Sequence, residues 1–403
     1  MPESTTVQAG GNAKKIFSVV VCAFIILCWT GLLIYILASC ATYRFQWDFL
    51  TYYSAYKAWA AGLDPYYNSN LLKFTPSFIV GLLPFFYPPC TLWFFGLFAL
   101  DDYGEAAYFY LLVKLVLLAV LIYLWGRKFL REEADAFFYL YCLLAFNSAV
   151  YLDIQSGNIT VFLQFFLWVG FFAFLKRRFL VFCMLIGIAS LFKAPYLFLL
   201  CPLLFSSAKK KNLLSLGTVL SVLMVYAVTY LVNPELFLSF LLNFRYLAVK
   251  GAYENPSSMS LILHIFDTLK YKGVMSPPSF VPVVVYIAVA FTVLLVTVRS
   301  LPRPGSPGRE RFVLFLFCVA YALIIPRIKD YSYMLLIVPS FFAIKRAVDV
   351  KAYPLFLIMF MLSAKYLELP VYRVIMGDVV WEYYPLFIAY ATWLLLVCFV
   401  RQR

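Results

Sequence analysis

The sequence predicts an all-α polytopic membrane protein, and three observations carry that prediction. Of 403 residues, 65% are hydrophobic and only 13% are charged. The mean hydropathy is +0.89. Apolar runs recur from one end of the chain to the other. A soluble domain is about 25% charged, and a soluble domain on one anchor would leave most of its length polar. In a bilayer every backbone N–H and C=O must be bonded inside the structure, so repeated apolar runs read as helices.

The formal net charge of +14 could suggest a nucleic-acid partner. The cations, however, gather in short stretches between apolar runs: Lys14-Lys15, Arg127-Lys128 with Arg131, Lys176 to Arg178, Lys209 to Lys211, Arg299 to Arg311, Lys345-Arg346 and Arg401 to Arg403. That is the pattern of cytoplasmic loops, and it removes nucleic acid from consideration. Aromatic residues, 20% of the chain, fit interfacial belts as well as sugar or lipid contact. Nine cysteines, mostly inside apolar runs and without a CxxC pair, form neither a disulfide framework nor a zinc site. A single histidine, His264, excludes a multi-histidine metal centre.

With the basic clusters inside, the elements follow in order. Residues 1–15 are a polar cytoplasmic terminus expected to lack order. Ile16 to Ala38 is uncharged, too long for a cleaved signal peptide, and reads as a retained span. It delivers the stretch Gln46 to Tyr67, within outer loop 40–70, where Phe49, Tyr52, Tyr53, Tyr56 and Trp59 recur at helical spacing. That predicts a helix lying along the outer interface with Asp48 at its N-terminal end. Leu72 to Leu100 is broken by Pro76, Pro84, Pro88 and Pro89 and reads as two short helices. Parity favours two crossings there, which would leave Asp101 and Asp102 on the outer face.

Ala106 to Trp125 is a clean span, Ala134 to Val150 returns outward, and Ile159 to Leu175 goes back to Lys176. Lys193 and Pro195 interrupt Phe179 to Pro202, predicting two short helices that meet at Lys193 near the outer face. After Leu213 to Val232 comes a second outer segment, 233–278, holding Arg245, Lys250, Asn255 and His264. Residues 16–300 thus form the core module. The Pro/Gly-rich stretch 301–311 is a cytoplasmic linker and hinge, and 312–403 supplies the C-terminal helices, among them Phe312 to Ile325, Met334 to Ile344, Pro354 to Ala364 and Tyr384 to Val400. The total is about twelve to fourteen helices, several too short to span unaided, and short proline-ended helices imply a chamber open to the outer face.

Such a chamber would gather Asp48, Gln155, Asn158, Lys193, Arg327 and Lys329, with Asp101 and Asp102 as further candidates. One carboxylate among cations suits a base that takes a hydroxyl proton while an anionic phosphate leaves. Each residue also has a plainer reading. Asp48 could cap its helix, Gln155 and Asn158 could cap the next one, Lys193 could snorkel to the interface, and Arg327 and Lys329 could anchor a helix end or pair with Asp330. No Walker A loop, dinucleotide fingerprint or GxSxG elbow is present.

The run Trp47-Asp48-Phe49, Tyr52-Tyr53, Gly62-Leu63-Asp64-Pro65-Tyr66 and Phe86-Tyr87-Pro88-Pro89 resembles the opening of glycosyltransferase family 87. These are GT-C enzymes that use polyprenyl-phosphate mannose. Leu152 to Thr160, Gly187 to Pro195, Asn255 to Ser258 and Tyr331 to Pro339 resemble later family motifs in the same order. Asn255-Pro256-Ser257 lacks the family's Gln, and Arg327-Ile328-Lys329-Asp330 stands where His is common. The resemblance implies a GT-C-like helical bundle at the cytoplasmic membrane with its active site on the outer face. By the same resemblance, a sugar, mannose in this family, passes from a polyprenyl phosphate donor to a glycolipid or glycan hydroxyl with inversion. Asp48 would be the catalytic carboxylate, Lys193 with Arg327 or Lys329 would hold the donor phosphate, and Tyr52, Tyr53, Gln155, Asn158 and Asn255 would contact sugar or acceptor. No cofactor and no metal is implied, and an isolated acid is in any case a poor divalent-cation site. A transporter or flippase for lipid-linked glycans is the alternative, but it would favour midplane charges and repeated halves, and no repeat is visible. A structural subunit of an envelope complex is a third reading.

Overall fold

The computed structural model describes residues 6–39, 45–76, 82–249, 255–275, 278–349 and 370–401. Among them every regular element is helical. The helices are α1 (Thr6–Ser39), α2 (Trp47–Ala60), α3 (Asn68–Leu71), α4 (Leu92–Gly96), α5 (Tyr103–Leu124), α6 (Ala136–Ser156), α7 (Thr160–Leu175) and α8 (Phe179–Phe192). They continue with α9 (Cys201–Leu204), α10 (Lys211–Val232), α11 (Pro234–Val249), α12 (Ser258–Tyr271), α13 (Val281–Arg299), α14 (Arg309–Ile324), α15 (Ile337–Asp349) and α16 (Pro370–Arg401). Five are long and apolar enough to cross a membrane, and these include α1, α6, α10 and α13 with α5 and its continuation to Glu133. The protein is an all-α multi-pass membrane protein.

The spans face different surroundings. α10 exposes most of its apolar side chains, Leu216, Leu220 and Leu223 among them, and α13 exposes about half, among them Val284, Ile287 and Phe291. They are the lipid-facing wall. α6, α7 and α14 are enclosed, with Trp125, Trp168, Phe171 and Phe315 fully buried between them and their neighbours. At 16 and 14 residues, α7 and α8 reach about 24 and 21 Å, against about 33 Å for α10.

The two ends of the bundle differ in charge. At one end Arg311 donates to both oxygens of Glu133 and to the Phe129 carbonyl, Arg346 lies 3.6 Å from Glu133, and Lys345 meets Asp135 at 2.6 Å. These pairs bolt the connection between α5 and α6 to the start of α14 and the end of α15. The linker shares this end, and Arg309 Nε donates to Pro302 O at 3.0 Å. Antiparallel connection places the α6–α7 turn, the α8 terminus and Arg327 at the opposite end.

Three sequence expectations change. α1 begins at Thr6 and so takes in residues 6–15, with no proline between Thr6 and Ser39 to stop it. Leu72 to Leu100 does not cross twice among the described residues. Its longest described helix is the five-residue α4, and the rest of its described residues, broken by prolines, are 3-10 turns and irregular chain. That chain wraps α2. Thr51 Oγ1 donates to Leu83 O at 3.2 Å, Tyr66 OH to Tyr87 O at 2.7 Å, and Asn243 of α11 covers Phe85 O at 2.9 Å. Consequently α2 is no one-sided interfacial helix, because residues 48–55 are buried all round. Tyr53 OH donates to Asp101 O at 3.0 Å and Phe49 stacks on Tyr110 at 4.2 Å, so α2 and the start of α5 share one end of the bundle. The expected helix Pro354 to Ala364 and the side chains of Arg245 and Lys250 lie outside what the structure describes.

Candidate active site

The site begins with a turn. α6 ends at Gly157, whose φ of +69° suits glycine, and the chain turns straight into α7. The start of α2 lies on that turn. Gln46 N donates to Gln155 O at 2.7 Å, and Gln46 Nε2 donates to Ala107 O at 3.1 Å. A Cβ on Gly157 would stand 2.9 Å from Phe49 Cβ and 3.0 Å from Gln46 Cα. Only a residue without a side chain allows α2 this close.

The approach brings Asp48 to Asn158. Asn158 Nδ2 donates to Asp48 Oδ2 at 2.7 Å and to Tyr52 OH at 3.1 Å, while its Oδ1 accepts from Thr160 N at 3.1 Å and Thr160 Oγ1 at 2.8 Å. The expected capping role of Asn158 is therefore present, and a second role is added to it. It secures the first turn of α7 and it holds the candidate base. Asp48 does not cap α2, because Gln46 occupies that position without a side-chain bond.

Two charges inside the spans complete the turn. Lys114, about 16 Å along α5 from Tyr103, and Asp153 near the end of α6 are fully buried and form an ion pair at 2.8 Å. Lys114 Nζ also donates to the carbonyls of Asp153 at 2.7 Å and Asn158 at 2.6 Å.

Lys193 stands at the predicted break, between the end of α8 and a 3-10 turn over Ala194–Leu200 that opens on Pro195. Its Nζ lies 5.6 Å from the ring centre of Tyr331. Tyr331 belongs to a second 3-10 turn, Asp330–Leu336. That turn is carried by Phe146 stacking on Tyr333 at 5.6 Å, where α6 leaves helical geometry over Ala145–Ser148.

Electrostatics ties these groups together. Burial lifts the Asp48 carboxyl from 3.8 to about 6; the Asn158 hydrogen bond and the charges of Lys114 and Lys193 pull it down, and Asp153 pushes it up. Burial lowers the Lys193 ammonium to about 8; Asp153 and Asp48 work to keep it charged, and Arg327 acts against them. Asp48 is thus a carboxylate balanced near neutrality, which is where a general base works best.

The remaining predicted residues fall into place unevenly. Tyr52 faces the site, within 3.3 Å of Tyr87 OH. Tyr53 turns away to Asp101 and packs on Tyr103 at 5.4 Å. Gln155 contributes its backbone carbonyl to α2. Asn255 spends both side-chain atoms on the loop that carries Arg327, donating to Pro326 O at 3.3 Å and accepting from Ile328 N, and Ser257 Oγ adds a bond to Pro326 O at 2.7 Å. Of the two late cations, Arg327 is the one whose charge reaches Lys193; the Lys329 carbonyl accepts from Ser332 N at 2.8 Å at the start of the 3-10 turn. Asp102 caps α5 through Glu105 N, and Asp101 is a solvent-exposed partner of Lys57 at 3.4 Å. His264 sits 3.5 Å from Glu382 and from Tyr383 OH, between α12 and α16. Among the described residues no three His, Cys, Asp or Glu side chains are grouped to hold a metal ion.

Sequence reasoning missed Lys114, Asp153, Tyr87 and Tyr331. Lys114 had a signal available, since a lone cation deep in an apolar span is a functional candidate by default.

Residues 85–326 match the family model of glycosyltransferase family 87. The chain belongs to glycosyltransferase family 87. No curated protein and no solved structure matches it. As a family 87 protein it is a membrane glycosyltransferase, with a sugar donor, an acceptor and a bilayer as its partners. The match takes in Lys114, Asp153, Asn158, Lys193 and Asn255. Asp48 lies ahead of it on α2, and Arg327 follows it by one residue.

Proposed function

We propose that this family 87 enzyme transfers a sugar, mannose on the motifs described above, from a polyprenyl phosphate carrier to a hydroxyl of a glycolipid or glycan acceptor, with inversion. Asp48 accepts the acceptor hydroxyl proton as the new O–C1 bond forms. The C1–O bond to phosphate breaks, and its electron pair leaves with polyprenyl phosphate. Lys193 and Arg327 face the departing phosphate, and Tyr52, Tyr87 and Tyr331 supply ring faces and hydroxyls for the sugar.

The observation that carries this reading is the charge balance around Asp48. Asp48 lies in the fields of Lys114, Asp153 and Lys193, and Lys193 in turn lies in those of Asp153, Asp48 and Arg327. A sugar phosphodiester brings one negative charge to the neighbourhood of Lys193 and Arg327, and the phosphomonoester leaving group, which gains charge, is stabilised further there. The donor's lipid tail removes any need for a nucleotide-binding fold.

The location follows from the opposite end. Arg127, Lys128, Lys176 to Arg178, Lys209 to Lys211 and Lys345-Arg346 lie away from Asp48 along the helices. The positive-inside rule then supports an outer-face site in the cytoplasmic membrane.

The test is direct. Purified protein with labelled polyprenyl-phosphate mannose and a membrane glycolipid extract should yield labelled glycolipid. Asp48→Asn should abolish the product while the protein still elutes as a folded species. Transfer at the wild-type rate by Asp48→Asn would refute the mechanism.

A further inference from the structure

The mechanism above uses Asp48 and Asn158 directly and leaves a fully buried ion pair, Lys114–Asp153, without a task. Such a pair is weak support for a fold, since apolar residues of similar size stabilise a buried site as well or better. Its geometry is specific, however. Lys114 reaches across from α5, donates to Asp153 O at 2.7 Å and Asn158 O at 2.6 Å, and stands 2.8 Å from Asp153 Oδ2 as an ion pair. Two hydrogen bonds and the ion pair thus tie one ammonium to the two ends of a six-residue turn. Ser156 Oγ adds bonds inside it, donating to Asp153 O at 3.2 Å and accepting from Asn158 N at 3.2 Å. The turn's outward product is the Asn158 amide, which holds the Asp48 carboxylate at 2.7 Å.

We propose that Lys114 and Asp153 are positioning residues: they lock the turn from Asp153 to Asn158 and thereby fix the Asn158 amide, and through it the Asp48 carboxylate, for proton abstraction. This rests on the assignment of Asp48 as the base. Lys114 is the clamp. Asp153 keeps that ammonium charged and aimed, and it offsets part of the positive field at Asp48.

The two partners act on the base with opposite sign. The Lys114 charge favours ionised Asp48 and the Asp153 charge disfavours it. The other groups that face Asp48 are Asn158 from the turn, Lys193 from the α8 break, Tyr52 on α2, Tyr87 from the chain around α2, Tyr110 on α5 and Tyr331. Of these, Asn158 is the group that the turn positions, and Lys193 itself feels the Asp153 charge. A residue that merely supported the fold would not move the acid limb of the pH–rate profile in opposite directions at its two ends.

The experiment measures kcat and KM for transfer from polyprenyl-phosphate mannose across pH, with the full-length protein in proteoliposomes. Lys114→Met should move the acid limb to higher pH and Asp153→Asn should move it to lower pH. Because either single change leaves a buried charge unpaired and can unfold the protein, the neutral double variant Lys114→Met/Asp153→Asn is the second arm. It should fold and lose about ten- to hundredfold in kcat, because the turn is no longer held. A folded double variant with wild-type kcat, or single variants whose acid limbs stay in place, would overturn the inference while wild-type transfer keeps the functional reading intact. No transfer by the wild-type protein would sink both.

Discussion

Gly157→Ala tests how closely α2 must approach the α6–α7 turn. The new Cβ would lie 2.9 Å from Phe49 Cβ and 3.0 Å from Gln46 Cα and Cβ, whereas carbon atoms are comfortable at about 3.5–4.0 Å. α2 would therefore have to retreat by about 0.5–1 Å. The backbone adds its own cost, because a φ of +69° disfavours alanine by about 1–2 kcal/mol. With about 1–3 kcal/mol for overpacking, the loss in stability is about 2–5 kcal/mol. The same retreat carries the 2.7 Å bond from Asn158 to Asp48 beyond the usual hydrogen-bond limit of about 3.2 Å. A misplacement on this scale can cost about a hundredfold in rate. Gly62→Ala is the control, since its φ of +76° is equally strained but nothing lies within 4 Å of the new Cβ. Melting in detergent and glycosyl transfer, measured on both variants, should show Gly62→Ala mildly destabilised and fully active, and Gly157→Ala destabilised and about a hundredfold slower below its melting point. Wild-type kcat in folded Gly157→Ala would show that the close approach does not set the base.

Two further outcomes follow from the same geometry. Burial raises the Asp48 carboxyl from 3.8 to about 6, so its ionised form costs the folded state about 3 kcal/mol above pH 6, and that cost vanishes as pH falls toward 3.8. Asp48→Asn should accordingly melt higher than wild type at pH 8, with the gap closing as pH falls through 6; a gap that is absent, or constant with pH, would contradict this. Asn255→Ala frees the loop that carries Arg327, so it should raise the KM for donor severalfold and leave the acid limb set by Asp48 where it is. A lower kcat with unchanged KM would assign Asn255 a different task.

Several features of the site could be read from the sequence because they interrupt an apolar background. Lys193 followed by Pro195 stops a helix in any context, and Asp48 is conspicuous directly after an uncharged span. Gly157-Asn158 between two apolar runs marks a turn. Lys114 escaped because one lysine scarcely lowers the hydropathy of the surrounding span, and its partner is 39 residues away in sequence. Tyr331 was hidden by an aromatic content that makes no single ring stand out. Whether a side chain or a backbone acts was equally hidden. Gln155 offers a carbonyl, and Asn255 turns its amide on a loop, and neither use leaves a mark on residue type. The chain between Leu72 and Leu100 was misjudged because apolar composition suggests crossing, whereas its prolines let it wrap α2 instead.

The two short helices that end at this site have a consequence for the bilayer itself. α8 presents Leu180, Met184 and Ile188 outward in one stripe, yet at about 21 Å it falls well short of a hydrocarbon slab about 30 Å thick. Lipids along that flank must compress to match it. Their phosphates settle several Å deeper there, toward the level of Lys193. A lipid-linked donor of the proposed kind, diffusing in the leaflet, would thus meet the enzyme at a dimple, where its headgroup already rides low.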